Sequence, residues 1–228
     1  MELAQQECYT WQDYRRMPDN ERYELISGTF YAMSPAPSRF HQEISMELAR
    51  QLSNYLLDHS CSVYPAPFDV RLPTAQESSD TSTTVLQPDI SIICDAKKLD
   101  QHGCVGAPDF IAEITSPSTA AHDNITKTAL YEQFGVREYW IIHPLDRLVT
   151  VRLLGQDHFF LPPHIHAGKG MLALTILPEL EVDLDLLFRS ITLNDQTLFS
   201  IKKATDLLIS GDQQLFYTPY CSPVCPQQ

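Results

Sequence analysis

Residues 88–144 read PDISIICDAKKLDQHGCVGAPDFIAEITSPSTAAHDNITKTALYEQFGVREYWIIHP. This stretch contains three short apolar runs, at residues 88–93, 109–115 and 138–142, whose β-branched and aromatic side chains predict three strands. A more polar segment at residues 120–134, between the second and third runs, predicts a helix. The rest of the chain is expected to form the scaffold around these elements.

Two of the predicted strands carry a carboxylate. Asp89 lies near the start of the first strand, and Glu113 lies inside the second. Because side chains alternate across a strand, Glu113 and Thr115 share one face with Ile111. A lone carboxylate in such an apolar run is costly unless it is paired or bound to a metal. Glu113 is therefore a candidate site residue.

The predicted helix has a polar face. Asp123, Lys127 and Tyr131 are spaced by four residues, so they lie on the same side of an α-helix. Gly135 follows the helix in the position where a left-handed residue commonly ends one. The helix therefore presents a carboxylate, an ammonium and a phenol together.

Two acids and a lysine can form a metal-dependent hydrolytic site. Carboxylates bind Mg²⁺ through hard oxygen atoms; here the ligands are Asp89 and Glu113, and the backbone carbonyl of Ile114 can supply another oxygen. The Lys127 side chain can deprotonate the attacking water as a neutral amine, or orient that water and stabilise charge on a phosphoryl group as an ammonium. The alternative is a salt-bridged structural cluster of Asp123, Lys127 and Glu113.

The composition is that of an acidic globular protein. The 228 residues are 43% hydrophobic, and the formal net charge is −13 with a pI near 4.9. We expect a single domain over residues 1–189 and a partly disordered C-terminal appendage over residues 190–228. The charge argues against a strong non-specific grip on nucleic acid or anionic membranes. No apolar run reaches the length of a membrane span, so none is expected.

Six cysteines are scattered along the chain without CxxC pairs. The first twenty residues are polar and charged and do not look like a signal peptide, so we expect a cytoplasmic protein. The cysteines are then expected to be reduced thiols, several of them filling the core. Cys221 and Cys225 lie in a proline-rich tail, where a disulfide or a metal role stays open.

Two further elements precede the central stretch. Residues 22–34 predict a β-hairpin, because β-forming residues flank the turn signal Ser27-Gly28. Residues 38–58 predict the longest helix, since apolar residues recur in it at helical spacing. His41 lies in the first turn on the buried side of this helix. It is either a satisfied, half-buried histidine or a side chain that faces a site.

In order and spacing, these residues resemble the Uma-two-type restriction endonucleases, a family within the PD-(D/E)XK nuclease superfamily. The resemblance spans roughly residues 23–187 and rests on Tyr23-Glu24, Gly28, His41, Gln87-Pro88-Asp89, Ala107-Pro108-Asp109, residues 113–118, Lys127, Tyr131 and residues 135–140. It implies an α/β, restriction-endonuclease-like fold, with a mixed β-sheet flanked by helices and an N-terminal hairpin. It also implies a homodimer that acts on DNA with Mg²⁺ or Mn²⁺.

The resemblance assigns roles to individual residues. Asp89 matches the first acid of the superfamily and Glu113 the second, so both are expected to be catalytic metal ligands. Thr115 stands where the superfamily pattern has its lysine. Lys127 is the natural replacement, because its amino group sits on a long flexible stem, and the residue is expected to act as catalytic base or charge stabiliser.

The implied function is that of a metal-dependent endonuclease that hydrolyses DNA phosphodiester bonds. His41, Thr115 and Tyr131 are expected to line its site. The alternative is a catalytically silent protein of the same fold that binds nucleic acid or another protein as a scaffold, because a fold by itself does not establish activity.

Overall fold

The computed structural model describes residues 8–18, 22–33, 37–116 and 121–191. The strands are β1 (Tyr23–Ile26), β2 (Thr29–Ala32), β3 (Ser62–Pro65), β4 (Val70–Arg71), β5 (Val85–Leu86), β6 (Ile90–Ile93), β7 (Leu99–Asp100), β8 (Gly103–Val105), β9 (Phe110–Ile114), β10 (Glu138–His143), β11 (Leu148–Leu153), β12 (His164–Ala167), β13 (Met171–Leu174) and β14 (Leu177–Asp183). The helices are α1 (Trp11–Tyr14), α2 (Arg39–Leu56), α3 (Thr128–Phe134) and α4 (Leu184–Leu187), with a 3₁₀ turn at Ala96–Lys98 and a π-helical turn at His122–Lys127.

The three apolar runs of the central stretch form neighbouring strands of one six-stranded mixed sheet. Its strand order is β12-β11-β10-β9-β6-β3. β9 pairs with β10 in parallel and with β6 in antiparallel orientation, so it lies in the interior of the sheet. The helical segment between β9 and β10 is the crossover that two parallel neighbours require. The predicted mixed sheet with flanking helices is confirmed.

A second six-stranded sheet accompanies the first, in the order β2-β1-β5-β4-β8-β7. It contains the predicted hairpin, in which β1 and β2 pair in antiparallel orientation. The two turn residues both have positive φ, 48° at Ser27 and 77° at Gly28. Positive φ at both central residues gives a two-residue turn whose twist matches the right-handed twist of the flanking strands. The sequence did not predict this second sheet, because its strands β4, β5, β7 and β8 are only two or three residues long.

Two hydrophobic clusters lie on opposite faces of the central sheet. One joins Ile44 of α2 to Ile92 and Phe110, and the other joins Ile111 to Tyr131 of α3. The predicted alternation along β9 is thereby confirmed, because its even-numbered and odd-numbered apolar residues fall in different clusters. Glu113 therefore belongs to the α3 face, with Ile111.

The helix predicted over residues 120–134 is not uniform. Its first part is the π-helical turn His122–Lys127, and the regular helix begins only at Thr128; residues 117–120 lie outside the described ranges. The Asp123 carbonyl accepts hydrogen bonds from the Tyr139 hydroxyl (3.0 Å) and the Thr128 hydroxyl (3.2 Å). Side chains thus satisfy a carbonyl at the wide turn. Such π turns are frequent at functional sites.

Cys61 and Cys94 form a disulfide, so the expectation of reduced thiols was wrong for this pair. The pairing of β3 with β6 explains it. Ser62 lies opposite Ile93, and in an antiparallel ladder the next positions outward, 61 and 94, are opposite each other as well. Cys104 is free and buried, as expected of a core thiol.

Removing this disulfide is expected to destabilise the fold. The Cys61→Ser/Cys94→Ser variant opens a loop with a sequence separation of 33, which should lower the free energy of unfolding by about 3.7 kcal/mol. Urea denaturation followed by circular dichroism measures this loss. Because Cys8 is also disulfide-bonded, a reducing agent should lower the midpoint of the wild type by more than it lowers that of the variant. A wild-type midpoint that does not respond to reduction would contradict the prediction.

The remaining sequence expectations concern the ends of the chain and membranes. Within the described ranges, no helix is both long and apolar enough to cross a membrane. The proposed appendage, including Cys221 and Cys225, lies outside the described residues from position 192 onward. The domain boundary near residue 189 therefore stays a prediction.

Candidate functional site

Lys127 lies at the centre of a buried cluster of carboxylates. Its Nζ is 2.9 Å from Glu113 Oε1, 3.0 Å from Glu24 Oε1 and 3.8 Å from Asp123 Oδ1. The side chains of these residues are no more than 6% exposed. One ammonium thus serves three acids, and the cluster carries an excess of negative charge.

Three separate elements bring this cluster together. Glu113 comes from the interior strand β9, Lys127 from the end of the π-helical turn, and Glu24 from β1 in the second sheet. Tyr131, four residues after Lys127, donates a hydrogen bond from its hydroxyl to Glu113 Oε1 (2.6 Å). The cluster therefore lies where the two sheets and the crossover helix meet.

Glu24 was not predicted as a site residue, although it belongs to the matching positions of the resemblance. Besides Lys127, it contacts His122, whose Nε2 lies 3.4 Å from Glu24 Oε2. Its sequence signal is the same as that of Glu113, a single acid in the apolar strand Tyr-Glu-Leu-Ile. What the sequence could not show is that β1 faces the crossover helix, because that depends on contacts between distant segments.

Asp89 forms the more exposed side of the site. Its Oδ2 accepts a hydrogen bond from the backbone N–H of Ile114 (2.7 Å) and lies 3.0 Å from His41 Nε2. The first contact fixes Asp89 beside the residue that follows Glu113. The side chains of Asp89 and His41 are 18% and 16% exposed, so solvent reaches this part of the site.

His41 is held at this position by the start of α2. The Ser38 side chain accepts a hydrogen bond from the His41 backbone N–H (3.2 Å) and caps the helix. Of the two hypotheses for His41, the structure shows the side chain facing Asp89. Among the described residues, its buried Nδ1 has no hydrogen-bond partner.

Burial and charge shift the pKa values within the cluster. Burial raises the pKa of Glu113 to about 8; Lys127 opposes this, whereas Asp89, Asp123 and Glu24 add to it. Burial also disfavours the charged form of Lys127, but the surrounding carboxylates outweigh it and raise the pKa of Lys127. Lys127 therefore stays protonated at neutral pH.

Glu24 shifts in the opposite direction. Burial works against its ionisation, but the charge of Lys127 and the contact with His122 outweigh burial and lower the pKa of Glu24 to about 2. Glu24 is thus ionised at neutral pH, while burial favours the protonated form of Glu113. The pKa values of the two carboxyl groups that share the Lys127 ammonium are therefore shifted in opposite directions.

Thr115 lies apart from these contacts. Its hydroxyl donates to the Ile142 carbonyl (3.3 Å) and lies 3.3 Å from His143 Nδ1 at the end of β10. The structure gives it no hydrogen bond to Glu113 or Lys127. Among the predicted site residues, the structure therefore brings Glu113, Lys127 and Tyr131 into contact with one another. Asp89 and His41 are connected to this group through the backbone of Ile114.

The donor set fits a hard divalent cation. Among the described residues, no three His, Cys, Asp or Glu side chains converge as a complete ligand set. Mg²⁺, however, is usually held by one or two carboxylates and keeps the rest of its shell for water and substrate phosphates. Asp89 Oδ1 and Glu113 Oε2 accept no hydrogen bond from the described residues, and three acids contact the Lys127 ammonium while Asp89 acts on the neighbouring Glu113. A cation at this point would neutralise the excess charge.

The arrangement of sheets and crossover helix is that of a nuclease fold. It superimposes on the crystal structure of a putative nuclease belonging to DUF820 from Anabaena variabilis with a TM-score of 0.62 and 17% sequence identity, covering 79% of this chain and 97% of the other. The chain belongs to the Uma2 family, described as putative restriction endonucleases, whose sequence profile matches residues 11–186. The resemblance stated from the sequence is thereby confirmed.

A further relative is an uncharacterized protein, slr1290, from Synechocystis sp. The two chains are 27% identical over 129 residues. The match covers 57% of this chain and 62% of the relative's length.

Proposed function

We propose that this protein is a metal-dependent endonuclease that hydrolyses DNA phosphodiester bonds. The observation that carries the proposal is the imbalance of charge around Lys127. Glu24, Asp89, Glu113 and Asp123 all act on the same buried site, where Lys127 contacts three of them and the imidazoles of His122 and His41 contact Glu24 and Asp89. A structural salt bridge needs one acid for one ammonium; the additional acids are explained by a second cation.

Asp89 and Glu113 would hold this cation, which we propose to be Mg²⁺ or Mn²⁺, and the Ile114 carbonyl belongs to the same donor set. When bound, the ion would act as a Lewis acid on the phosphoryl oxygens and neutralise their charge. His41 holds Asp89 from α2, and Tyr131 holds Glu113 from α3. These two contacts fix the carboxylates from opposite sides of the sheet.

Lys127 has the role of a charge stabiliser in this proposal. The surrounding carboxylates raise its pKa, so the side chain stays protonated at neutral pH. A protonated amine has no lone pair with which to accept a proton from water. It can donate hydrogen bonds and stabilise negative charge that develops on the phosphoryl group. Of the two roles that the sequence left open, base or charge stabiliser, the electrostatics favour the second.

The substrate and assembly are part of the same proposal. DNA is the substrate class that the family description suggests, and a homodimer acting in the cytoplasm remains the expected form. Cleavage of supercoiled and single-stranded DNA by the purified protein, with Mg²⁺, Mn²⁺ or EDTA, tests the activity. Metal-dependent nicking supports it. If no substrate is cut and no metal shifts the melting temperature, the silent scaffold is the better account.

The raised pKa of Glu113 predicts that metal binding depends on pH. The proton must leave Glu113 before a cation binds, so Mg²⁺ affinity should rise roughly tenfold per pH unit between about pH 6 and pH 8. Without metal, this carboxyl stabilises the fold fully below its ordinary pKa of 4.5, and the contribution is lost as the pH rises to about 8. The increase in melting temperature caused by Mg²⁺, measured across this range, checks the prediction. An increase that is equal at all pH values contradicts it.

A further inference from the structure

A cavity of about 490 Å³ lies beside the candidate site. Its lining includes Trp11, Tyr14, Arg15, Arg22, Asp69 and Gln87. Gln87 connects it to the acidic cluster, because its backbone N–H donates to Glu24 Oε1 (3.4 Å). The volume falls in the range of cavities that hold small ligands.

The polar side of this cavity is pre-arranged. The Gln87 side-chain amide donates to Asp69 Oδ1 (2.8 Å) and to the Tyr14 hydroxyl (3.2 Å), and its carbonyl accepts from Arg22 (2.8 Å). These bonds use both donors and orient the amide. The second oxygen of Asp69 accepts no hydrogen bond from the described residues, so it is available to a ligand that carries an N–H donor.

The aromatic side of the cavity contains an unsatisfied donor. The rings of Trp11 and Tyr14 are stacked, with centroids 5.2 Å apart. Trp11 is only 2% exposed, yet its indole Nε1 has no hydrogen-bond partner among the described residues. Buried donors of this kind are normally paired. Because this nitrogen is itself buried, the partly exposed ring of Tyr14 is the aromatic surface that the cavity offers to a ligand.

We propose that this cavity binds one unpaired base of the nucleic-acid strand that is cut at the neighbouring site. The inference rests on the proposed function and adds a base-recognition subsite to it. A nucleobase is flat and heteroaromatic, which suits contact with the partly exposed ring of Tyr14, which the buried Trp11 supports from behind. An exocyclic amino group on the base can donate to the free oxygen of Asp69, as carboxylates do in reading cytosine.

The surroundings of the cavity match the rest of a nucleotide. The side chains of Arg15 and Arg22 line it from exposed positions, where they can contact backbone phosphates. Gln87 and Asp89 are two residues apart, about 7 Å along an extended chain. A base in the cavity and a phosphodiester at Asp89 can therefore belong to adjacent nucleotides. Because a paired base cannot enter, the strand must be single or the base flipped out.

The experiment measures binding rather than cleavage. Short fluorescein-labelled single-stranded oligonucleotides are titrated by anisotropy with Ca²⁺ in place of Mg²⁺, and an abasic residue is moved through the sequence one position at a time. We expect one position where the missing base weakens binding by roughly tenfold. The Tyr14→Leu variant should bind the intact oligonucleotide roughly tenfold more weakly than the wild type does. An abasic residue at the sensitive position should then weaken binding to this variant little further.

An adjacent pair of arginines supplies the matched control. Arg15 lines the cavity, whereas Arg16 is paired with Asp13 and is not part of the lining. Arg15→Ala should weaken binding roughly threefold or more, and Arg16→Ala should leave it within twofold of wild type. Both residues are exposed, so neither change should unfold the protein.

Three results would overturn the proposal. The first is that the affinity losses caused by Tyr14→Leu and by the abasic residue multiply, as they do for independent sites. The second is an equal effect of the two arginine variants, and the third is a free mononucleotide that binds as tightly as the strand. The last would identify a site for free nucleotides instead. Metal-dependent cleavage that persists alongside any of these results would leave the nuclease proposal intact. Binding that shows the expected pattern without cleavage would leave the subsite intact and remove the nuclease.

Discussion

Glu113→Gln is expected to abolish DNA cleavage without unfolding the protein. The substitution keeps the shape of the side chain and an oxygen that can accept from Tyr131, but it removes one of the two proposed anionic ligands. The charge stabilisation that a metal supplies to the transferring phosphoryl group amounts to several kcal/mol, so the rate should fall at least about 1000-fold. The increase in melting temperature caused by Mg²⁺ should disappear as well.

The stability of this variant separates a functional acid from a structural one. Burial raises the pKa of Glu113, which means that the fold disfavours its charged form. A neutral glutamine removes that cost, while Lys127 keeps its contacts with Glu24 and Asp123. We therefore expect a melting temperature at pH 8 that equals or exceeds that of the wild type without metal.

Glu138→Gln is the matched control for Glu113→Gln. Glu138 is an equally buried acid on the neighbouring strand β10, but it accepts from the Trp140 indole N–H (2.8 Å) and the Ile176 backbone N–H (2.9 Å), away from Lys127. An amide can accept with only one of its two polar groups, so this variant should lose about 1 kcal/mol of stability and keep its cleavage rate. Retained cleavage by Glu113→Gln, or equal loss in both variants, would rule out the assigned role of Glu113.

The sequence predicted the part of the site that depends on local periodicity. Alternation along β9 places Glu113 on the face of Ile111, and the four-residue spacing of Lys127 and Tyr131 keeps both on the side that meets it. The π-helical turn does not disturb this outcome, because Lys127 is its last residue. Sequence spacing was therefore sufficient for the contacts between Glu113 and the crossover helix.

The contacts that the sequence could not predict all depend on register or on packing between sheets. Glu24 reaches Lys127 only because β1 belongs to a second sheet that meets the crossover helix. The Cys61–Cys94 disulfide follows from the alignment of β3 with β6, which no local pattern encodes. In each case the relevant partner is remote in the chain, and strands of only four residues leave too little pattern to align them.

Lys127→Met is expected to destabilise the protein strongly and to abolish cleavage. Methionine is similar in length but has no charge, so Glu24, Glu113 and Asp123 lose the ammonium that contacts all three. Removing one partner from a buried ion pair typically costs 3–5 kcal/mol, and we expect a loss of about 4 kcal/mol at pH 8. Urea denaturation at several pH values measures it.

The pH dependence of this variant identifies the cause of its instability. Without the ammonium, the pKa values of the buried carboxyl groups are higher in the folded state than in the unfolded chain. The variant is therefore most stable at low pH and loses stability as the pH rises. Wild type differs at Glu24, whose lowered pKa provides stability that is lost only as the pH falls toward about 2. Adding Glu24→Gln to Lys127→Met should restore part of the stability at pH 8, because it removes one of the unpaired charges.

Lys127→Arg separates the structural role of the charge from its role in catalysis. A guanidinium keeps the positive charge among the same acids, so most of the stability should remain, but its planar donors are arranged differently from a compact ammonium. If Lys127 stabilises charge on the phosphoryl group, cleavage should fall roughly 100-fold in a folded protein. Full activity in this variant would show that any cation suffices and that Lys127 only holds the acids together. A stable, active Lys127→Met would remove the residue from the site entirely.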